Sequence, residues 1–211
     1  MAELQLTLDH GKRHELITFG LDLVSEIHES HPDLKIAVDA KVFHGGSGVT
    51  RRCFEAGASI VTVLAYAPDE VIRQMVHHAR EYGGAIMCDM DGVRNAGKRT
   101  AQVDALGVKY VHISTGYLME HEYDLQKPTH GSIFQLRPLE KAVAVKRNLI
   151  HAGLALGTGI NEQNLDEVLK LKPQIVMVGR GIYAKDGAYK TTLERQIEAA
   201  DSIRARLHAA G

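Results

Sequence analysis

The sequence IVTVLAYAPDEVIRQMVHHAREYGGAIMCDM, residues 60–90, decides the fold class. It begins with a short apolar run at 60–64 and ends with another at 85–90. The stretch between them, at 68–82, has the apolar spacing of an amphipathic helix. Runs that are apolar on both faces are typical of parallel strands covered by helices. The stretch therefore predicts a βαβ unit.

The same alternation continues along the chain. Strands are predicted at 4–8, 35–39, 60–64, 85–90, 110–114, 154–157 and 175–178, and helices at 16–29, 48–56, 68–82, 95–106, 139–149, 162–171 and 191–208. The longest stretch with neither pattern is 117–137. This order indicates an α/β fold, either a closed barrel or an open doubly wound sheet. Glycine-rich turns follow the last two strands rather than the first, which favours a (β/α)8 TIM-type barrel, of which seven strands can be read.

The composition is that of one globular domain covering residues 1–211. The chain is 45% hydrophobic and 24% charged, with a formal net charge of −1. This charge excludes the attraction that nucleic acids and anionic membranes exert on basic proteins, and no apolar run has the length of a membrane helix. The only cysteines, Cys53 and Cys88, lie in apolar surroundings. We therefore expect reduced thiols and a cytoplasmic protein without nucleic-acid or membrane partners.

The segment Val38-Asp39-Ala40-Lys41 carries the first candidate catalytic residues. Alternation along the predicted strand places Asp39 and Lys41 on one face, at the carboxyl end where barrel enzymes hold catalytic groups. A carboxylate beside an amine favours its charged form, which can be aimed at developing negative charge. The alternative is a solvated ion pair at a strand end, because a D-x-K pattern alone does not distinguish the two.

Two glycine-rich turns after the last two strands form the second candidate site. The first contains Gly157, Thr158 and Gly159, and the second contains Gly179 and Arg180. Glycines let backbone N–H groups approach a phosphate, and Arg180 can add a bidentate contact. These positions in a TIM barrel are a recurrent phosphate site. The turns predict phosphate binding, and the alternative is that the glycines only permit tight turns.

Four segments resemble the 3-hexulose-6-phosphate synthase and 3-keto-L-gulonate-6-phosphate decarboxylase group, within the orotidine 5′-monophosphate decarboxylase superfamily. They are LQLTLD at 4–9, KIAVDAKVFHGG at 35–46, CFEAGASIVTVLAYAPDEVI at 53–72, and the pair LGTGI at 156–160 with IVMVGRGI at 175–182. The order of the segments and their spacing make this resemblance more specific than the D-x-K pattern alone.

The resemblance implies a (β/α)8-barrel homodimer that binds a phosphorylated ketose and uses Mg2+ to stabilise an enediolate. Carried over residue by residue, Asp39 would bind the metal, Lys41 would contact the intermediate, and Asp9 would support the site. The phosphate would be held by residues of the two glycine-rich turns: Gly157, Thr158, Gly159, Gly179 and Arg180.

The sequence departs from the family pattern at two candidate catalytic positions. His44 stands where the D-x-K-x-x-D motif has its last acid, which in the family reaches across the dimer into the partner's site. A histidine can transfer protons near pH 7 but does not carry a carboxylate's charge. Ser114 stands at the position of the family's catalytic histidine. His112 falls two residues earlier on the same face, as a substitute or as an ordinary strand histidine.

A third departure lies between the first two predicted strands. The chain has room there for one helix, whereas family members fit a helix, a strand with a metal-binding Glu and another helix. One βα unit is therefore expected to be missing near the N-terminus, which makes a seven-stranded or rearranged barrel an alternative to the eight-stranded one. Asp9, His10 and Glu15 are the candidates to replace the missing Glu.

The leading hypothesis is a carbon–carbon lyase acting on a ketose phosphate. By resemblance, it would condense formaldehyde with ribulose 5-phosphate or decarboxylate 3-keto-L-gulonate 6-phosphate. His44 and Ser114 motivate two alternatives. One is a phosphosugar-binding barrel without this catalysis, and the other is an isomerase or aldolase that uses His44 as acid and base.

Overall fold

The structure is a computed structural model that describes residues 3–6, 20–114, 138–157, 160–183 and 192–209. The irregular stretch predicted at 117–137 lies outside the described residues, as does the beginning of the helix predicted from residue 16. Three candidate site residues, Asp9, Thr158 and Gly159, also lie outside them.

Seven strands and eight helices occur in the described part of the chain. The strands are β1 (Glu3–Leu6), β2 (Lys35–Val42), β3 (Ile60–Leu64), β4 (Ala85–Asp89), β5 (Tyr110–Ser114), β6 (Gly153–Gly157) and β7 (Ile175–Val176). The helices are α1 (Asp22–Ser30), α2 (Gly46–Glu55), α3 (Asp69–Glu81), α4 (Ala96–Ala105), α5 (Pro138–Lys146), α6 (Leu165–Leu169), α7 (Arg180–Tyr183) and α8 (Leu193–Ala209). All seven predicted strands are confirmed, with ends that differ by a few residues.

The strands form one sheet in the order β1-β2-β3-β4-β5-β6-β7. The pairs β1–β2, β2–β3, β3–β4 and β6–β7 are parallel. This arrangement confirms the predicted α/β class. Because β1 pairs directly with β2, with Leu4 opposite Ile36, no further strand separates them in the sheet. An eighth strand and closure into a full barrel stay predictions.

Contacts divide the chain into two compact units, and a single domain over 1–211 stays a prediction. The first unit comprises residues 1–90, 101–111 and 150–152, and the second comprises 91–100, 112–149 and 153–211. In the first unit, β3 is buried on both faces and α3 buries one face, as the opening stretch of sequence predicts. The residues buried on α3 are Ile72, Met75, Val76 and Ala79.

Strand β2 is irregular at the candidate catalytic residues. Val38 lies opposite Val61 and Val42 lies opposite Val63, so three residues of β2 face one residue of β3. Within this bulge Lys41 has a φ of 43°, in the left-handed region that residues with a side chain rarely adopt. The strand consequently extends to Val42 rather than ending at Asp39, and simple alternation does not describe its end.

In the second unit, the first of the two glycine-rich turns leads into a shorter helix than predicted. Helix α6 spans Leu165–Leu169 instead of 162–171. The side chain of Asn161 accepts hydrogen bonds from the N–H groups of Gln163 and Asn164, at 3.0 and 3.2 Å. Asparagine side chains that bond to nearby N–H groups compete with helical geometry, which explains the later start.

Among the described residues, none of the helices combines the length and the apolar character that crossing a lipid bilayer requires. A cytoplasmic location stays a prediction.

Candidate active site

Lys41 lies between two carboxylates in the first unit. Its Nζ is 3.6 Å from Asp39 Oδ2 and donates a hydrogen bond to Oδ2 of Asp89, the last residue of β4. Asp39 is 8% exposed and Asp89 is fully buried, whereas 22% of the Lys41 side chain is exposed. The structure thus brings the predicted pair Asp39 and Lys41 together and leaves the amine accessible. We name these three residues the lysine–carboxylate cluster.

Two residues around Lys41 are missing from the sequence-based candidates. Asp89 carries the same signal as Asp39, an acid at the end of an apolar strand, but that signal does not name its partner. Thr62 gives no signal at all, because a threonine in an apolar strand is ordinary. Its hydroxyl nevertheless contacts both Asp39 and the main chain of Lys41. Both residues become visible only through the register of neighbouring strands.

His44 is placed apart from the acids of the lysine–carboxylate cluster. It follows β2, is exposed, and packs its ring edge-on against Phe43, with ring centroids 5.8 Å apart. Phe43 is in turn 5.7 Å from the ring of Tyr66. These two aromatic side chains are 44% and 55% exposed. His44 therefore belongs to an exposed aromatic surface, and its predicted catalytic role stays a prediction.

The predicted phosphate-binding residues belong to the second unit. Gly157 is the buried last residue of β6, and Gly179 is exposed just before α7. Arg180 begins α7, and the N–H of Ile182 donates to the carbonyl of Gly179 at 2.8 Å. Both turns therefore stand directly after a strand, as predicted, while phosphate binding itself stays a prediction.

His112 lies against the backbone that begins the first glycine-rich turn. A Cβ on Gly157 would come within 2.9 Å of His112 Nε2 and 2.8 Å of Met177 Cε. His112 is only 7% exposed. The absence of a side chain at Gly157 is therefore what lets the imidazole and the methionine pack against this turn.

Gly181 brings the segments after β6 and β7 into direct contact. A Cβ on Gly181 would collide with the carbonyl oxygen of Ile160 and lie 3.0 Å from Asn161 Cα. Both obstacles are main-chain atoms, which cannot rotate away as a side chain can. Gly181 is thus a further residue that the sequence-based site omits, although the repeated glycines around Arg180 were a signal for it.

The donor set was compared with what Mg2+ requires. The described residues contain no group of three or more His, Cys, Asp or Glu side chains placed to hold a metal ion. Asp39 supplies carboxylate oxygens, the donors that Mg2+ prefers, and water and substrate oxygens commonly complete its shell. The predicted ligand Asp39 therefore fits Mg2+ in kind. The other candidates, Asp9, His10 and Glu15, lie outside the described residues.

A sequence model of the family described as orotidine 5′-phosphate decarboxylase / HUMPS matches residues 12–195. The chain belongs to this family. The match covers most of the chain, including the lysine–carboxylate cluster and both glycine-rich turns, and it confirms the resemblance seen in the four sequence segments.

Curated relatives within the orotidine 5′-phosphate decarboxylase / HUMPS family are 3-hexulose-6-phosphate synthases. The chain is 35% identical to the synthase of Bacillus subtilis over 167 residues, which cover 79% of this chain and 74% of that protein. It is 29% identical to the synthase of a Staphylococcus epidermidis strain over 171 residues, covering 81% and 76% of the two chains.

Solved structures of the same family share the fold. The 3-hexulose-6-phosphate synthase of Salmonella typhimurium matches with a TM-score of 0.76 and 23% identity, over 93% of this chain and 83% of that one. The 3-keto-L-gulonate-6-phosphate decarboxylase of Vibrio cholerae matches with a TM-score of 0.73 and 21% identity, over 93% and 82%. These likenesses support the TIM-barrel type of parallel α/β fold that the sequence predicts.

Proposed function

We propose that the protein is a phosphosugar lyase that acts through the enediolate of a ketose phosphate, as a 3-hexulose-6-phosphate synthase or a 3-keto-L-gulonate-6-phosphate decarboxylase. The observation that carries the proposal is the Lys41 ammonium held beside Asp39 and Asp89, in a chain 35% identical to a 3-hexulose-6-phosphate synthase. A fixed cation of this kind stabilises negative charge that develops during a reaction.

Both reactions develop the same charge. In the condensation, a proton leaves C1 of ribulose 5-phosphate and its electron pair forms the enediolate. C1 then attacks the carbonyl carbon of formaldehyde, and the former formaldehyde oxygen takes up a proton. In the decarboxylation, the bond to the carboxylate breaks, CO2 leaves, and the resulting enediolate takes up a proton. Lys41 would stabilise the enediolate oxygens, while Asp39 and Asp89 hold its ammonium in place.

The phosphate of the substrate is assigned to the glycine-rich turns. Gly157, Thr158 and Gly159 in one turn, and Gly179 with Arg180 in the other, would offer backbone N–H groups and one guanidinium. A Streptococcus mutans structure described as KGPDC, with a TM-score of 0.70 and 16% identity, is a complex with a phosphosugar. The assignment is supported by this example of the same fold holding a ligand of that class.

Mg2+ is proposed as the cofactor, with Asp39 as its described ligand and Asp9 as a supporting acid. When bound, the ion would act as a Lewis acid toward the two ketose oxygens. Asp39 would orient the ion and Lys41 at once, because its two carboxylate oxygens point in different directions: Oδ1 accepts from Thr62 and Oδ2 faces Lys41.

A homodimer is proposed from the exposed aromatic surface beside β2. Phe43, Tyr66 and Val49 are exposed large apolar residues of the first unit, and a second copy of the chain would cover them. This contact would also bring His44 of one protomer toward its partner. Light scattering should give twice the chain mass for the unmodified protein and the chain mass for Phe43→Ser with Tyr66→Ser. A monomeric unmodified protein would contradict the dimer.

The experiment that tests the function measures turnover by the folded protein with Mg2+. Formaldehyde with ribulose 5-phosphate is one assay, and release of CO2 from 3-keto-L-gulonate 6-phosphate is the other. Turnover in one of them that is lost in Lys41→Ala supports the proposal. Ribulose 5-phosphate binding in calorimetry without turnover in either assay would replace it with a phosphosugar-binding protein. Turnover that depends on His44 but not on Lys41 would favour an isomerase or aldolase.

A further inference from the structure

Thr62 occupies the position opposite the bulge of β2. It is 1% exposed, and its Oγ1 accepts a hydrogen bond from the main-chain N–H of Lys41 at 2.9 Å. The same hydroxyl donates to Asp39 Oδ1 at 2.7 Å. A threonine hydroxyl has one proton and two lone pairs, so it can make both bonds at the same time. One buried side chain thus joins the main chain of the lysine to the carboxylate of its neighbour.

These two bonds stand where the regular ladder between β2 and β3 is interrupted. Three residues of β2 lie between the paired positions Val38 and Val42, and Thr62 alone lies between Val61 and Val63. A bulge leaves main-chain groups without their ladder partners, and buried N–H groups require a replacement. For Lys41 the replacement is the hydroxyl of Thr62, which supports its left-handed φ of 43°.

We propose that Thr62 is a positioning residue for the reaction, an inference that rests on the function proposed above. Its hydroxyl holds the Lys41 main chain in the bulge and turns the Asp39 carboxylate so that Oδ2 faces the Lys41 ammonium. The ammonium is then directed along the line between Asp39 and Asp89. Thr62 touches no substrate in this account, and it acts only through Lys41 and Asp39.

The test compares Thr62→Val with Thr62→Ser. Valine has the shape of threonine but neither donates nor accepts, so it removes both hydrogen bonds, whereas serine retains them and loses only a methyl group. Thr100→Val is the matched control, because Thr100 is also fully buried and its hydroxyl donates to the carbonyl of Ala96 at 2.7 Å within α4. Thermal unfolding of each variant checks that the fold persists.

Thr62→Val should lower kcat roughly 10- to 100-fold, the usual effect of losing hydrogen bonds to a charged group, with a much smaller change in KM. Thr62→Ser should recover most of kcat, and Thr100→Val should keep it. A folded Thr62→Val with the kcat of the unmodified protein would overturn the proposal. Equal losses of kcat in the valine and serine variants would also overturn it, since they would reflect packing alone.

Amide hydrogen exchange at Lys41, measured by NMR, tests the contact without activity. Exchange should be faster in Thr62→Val than in the unmodified protein and in Thr62→Ser, because the Lys41 N–H loses its acceptor. Equal exchange in all three would overturn the positioning role. If the unmodified protein turns over neither ketose phosphate, the proposed function fails, and the exchange measurement decides the role of Thr62 by itself.

Discussion

The ammonium of Lys41 donates a hydrogen bond to Asp89, a fully buried carboxylate at the end of β4. These residues are separated by 48 positions in the chain, and β3 lies between their strands in the sheet. A buried carboxylate requires a compensating partner, and a lysine in a catalytic position requires a fixed direction. The contact meets both requirements at once, so stability and reactivity of this region are coupled.

Replacing Asp89 should separate these two effects. We expect Asp89→Asn to lower kcat roughly 10- to 100-fold, because a neutral amide holds the ammonium less firmly than a carboxylate does. Steady-state kinetics with the active substrate would measure this change. Glu70→Gln, at an exposed acid on α3 paired with Arg73, is the control and should keep its activity. Equal kcat for Asp89→Asn and the unmodified protein would exclude a role for this contact in the reaction.

Removal of divalent metal tests the role assigned to Asp39. We expect chelation to abolish turnover and added Mg2+ to restore it, because oxygen ligands and substrate oxygens would share the ion. The rise in melting temperature on adding Mg2+ with ribulose 5-phosphate should be present in the unmodified protein and absent in Asp39→Asn. Full turnover in the presence of chelator would contradict the proposed cofactor.

Gly181 offers a test of the contact between the two glycine-rich segments. Gly181→Ala should weaken the binding of ribulose 5-phosphate about tenfold or more, since an added methyl must push apart main-chain atoms of the two segments. Calorimetry gives the dissociation constant. Gly48→Ala is the matched control, because a Cβ at Gly48 meets open space. Unchanged affinity in Gly181→Ala would mean that this close contact does not shape the phosphate site.

Cys53 gives a pH-dependent prediction. Burial raises the pKa of its thiol from 9.0 to about 11, because the thiolate is poorly solvated in the core. The folded state therefore keeps its proton more tightly than the unfolded state. The resulting contribution to stability is complete below about pH 9 and is lost as pH rises toward 11.

Chemical unfolding at a series of pH values measures this contribution. The free energy of unfolding of the unmodified protein should fall between pH 9 and pH 11 by on the order of 1 to 3 kcal/mol more than that of Cys53→Ala. Cys88 is present in both proteins, so its own titration cancels. Parallel curves for the two proteins across this range would contradict the pKa of Cys53.

Periodicity was sufficient to predict the fold class. The apolar runs at 60–64 and 85–90 and the amphipathic pattern between them became β3, β4 and α3, because burial on both faces of a parallel strand leaves a continuous apolar signature. Local hydrogen bonds of Asn161 and Asn164 shifted the start of α6, since side-chain competition with the backbone is not part of an apolar pattern.

The candidate site was only partly predictable. Asp39 and Lys41 are close in sequence, so their pairing followed from a local pattern. Asp89 and Thr62 join them through the register of β2, β3 and β4, which no local pattern specifies. The bulge that gives Lys41 its left-handed backbone was equally invisible, because bulges depend on the partner strand.

Deuterium exchange at C1 of ribulose 5-phosphate tests the central claim most directly. The substrate would be incubated with the protein and Mg2+ in D2O, without formaldehyde, and followed by proton NMR. Formation of the enediolate predicts loss of the C1 proton signal with the unmodified protein and no loss above background with Lys41→Ala. Retention of the C1 protons by folded, unmodified protein that binds the sugar phosphate would contradict enediolate chemistry at this site.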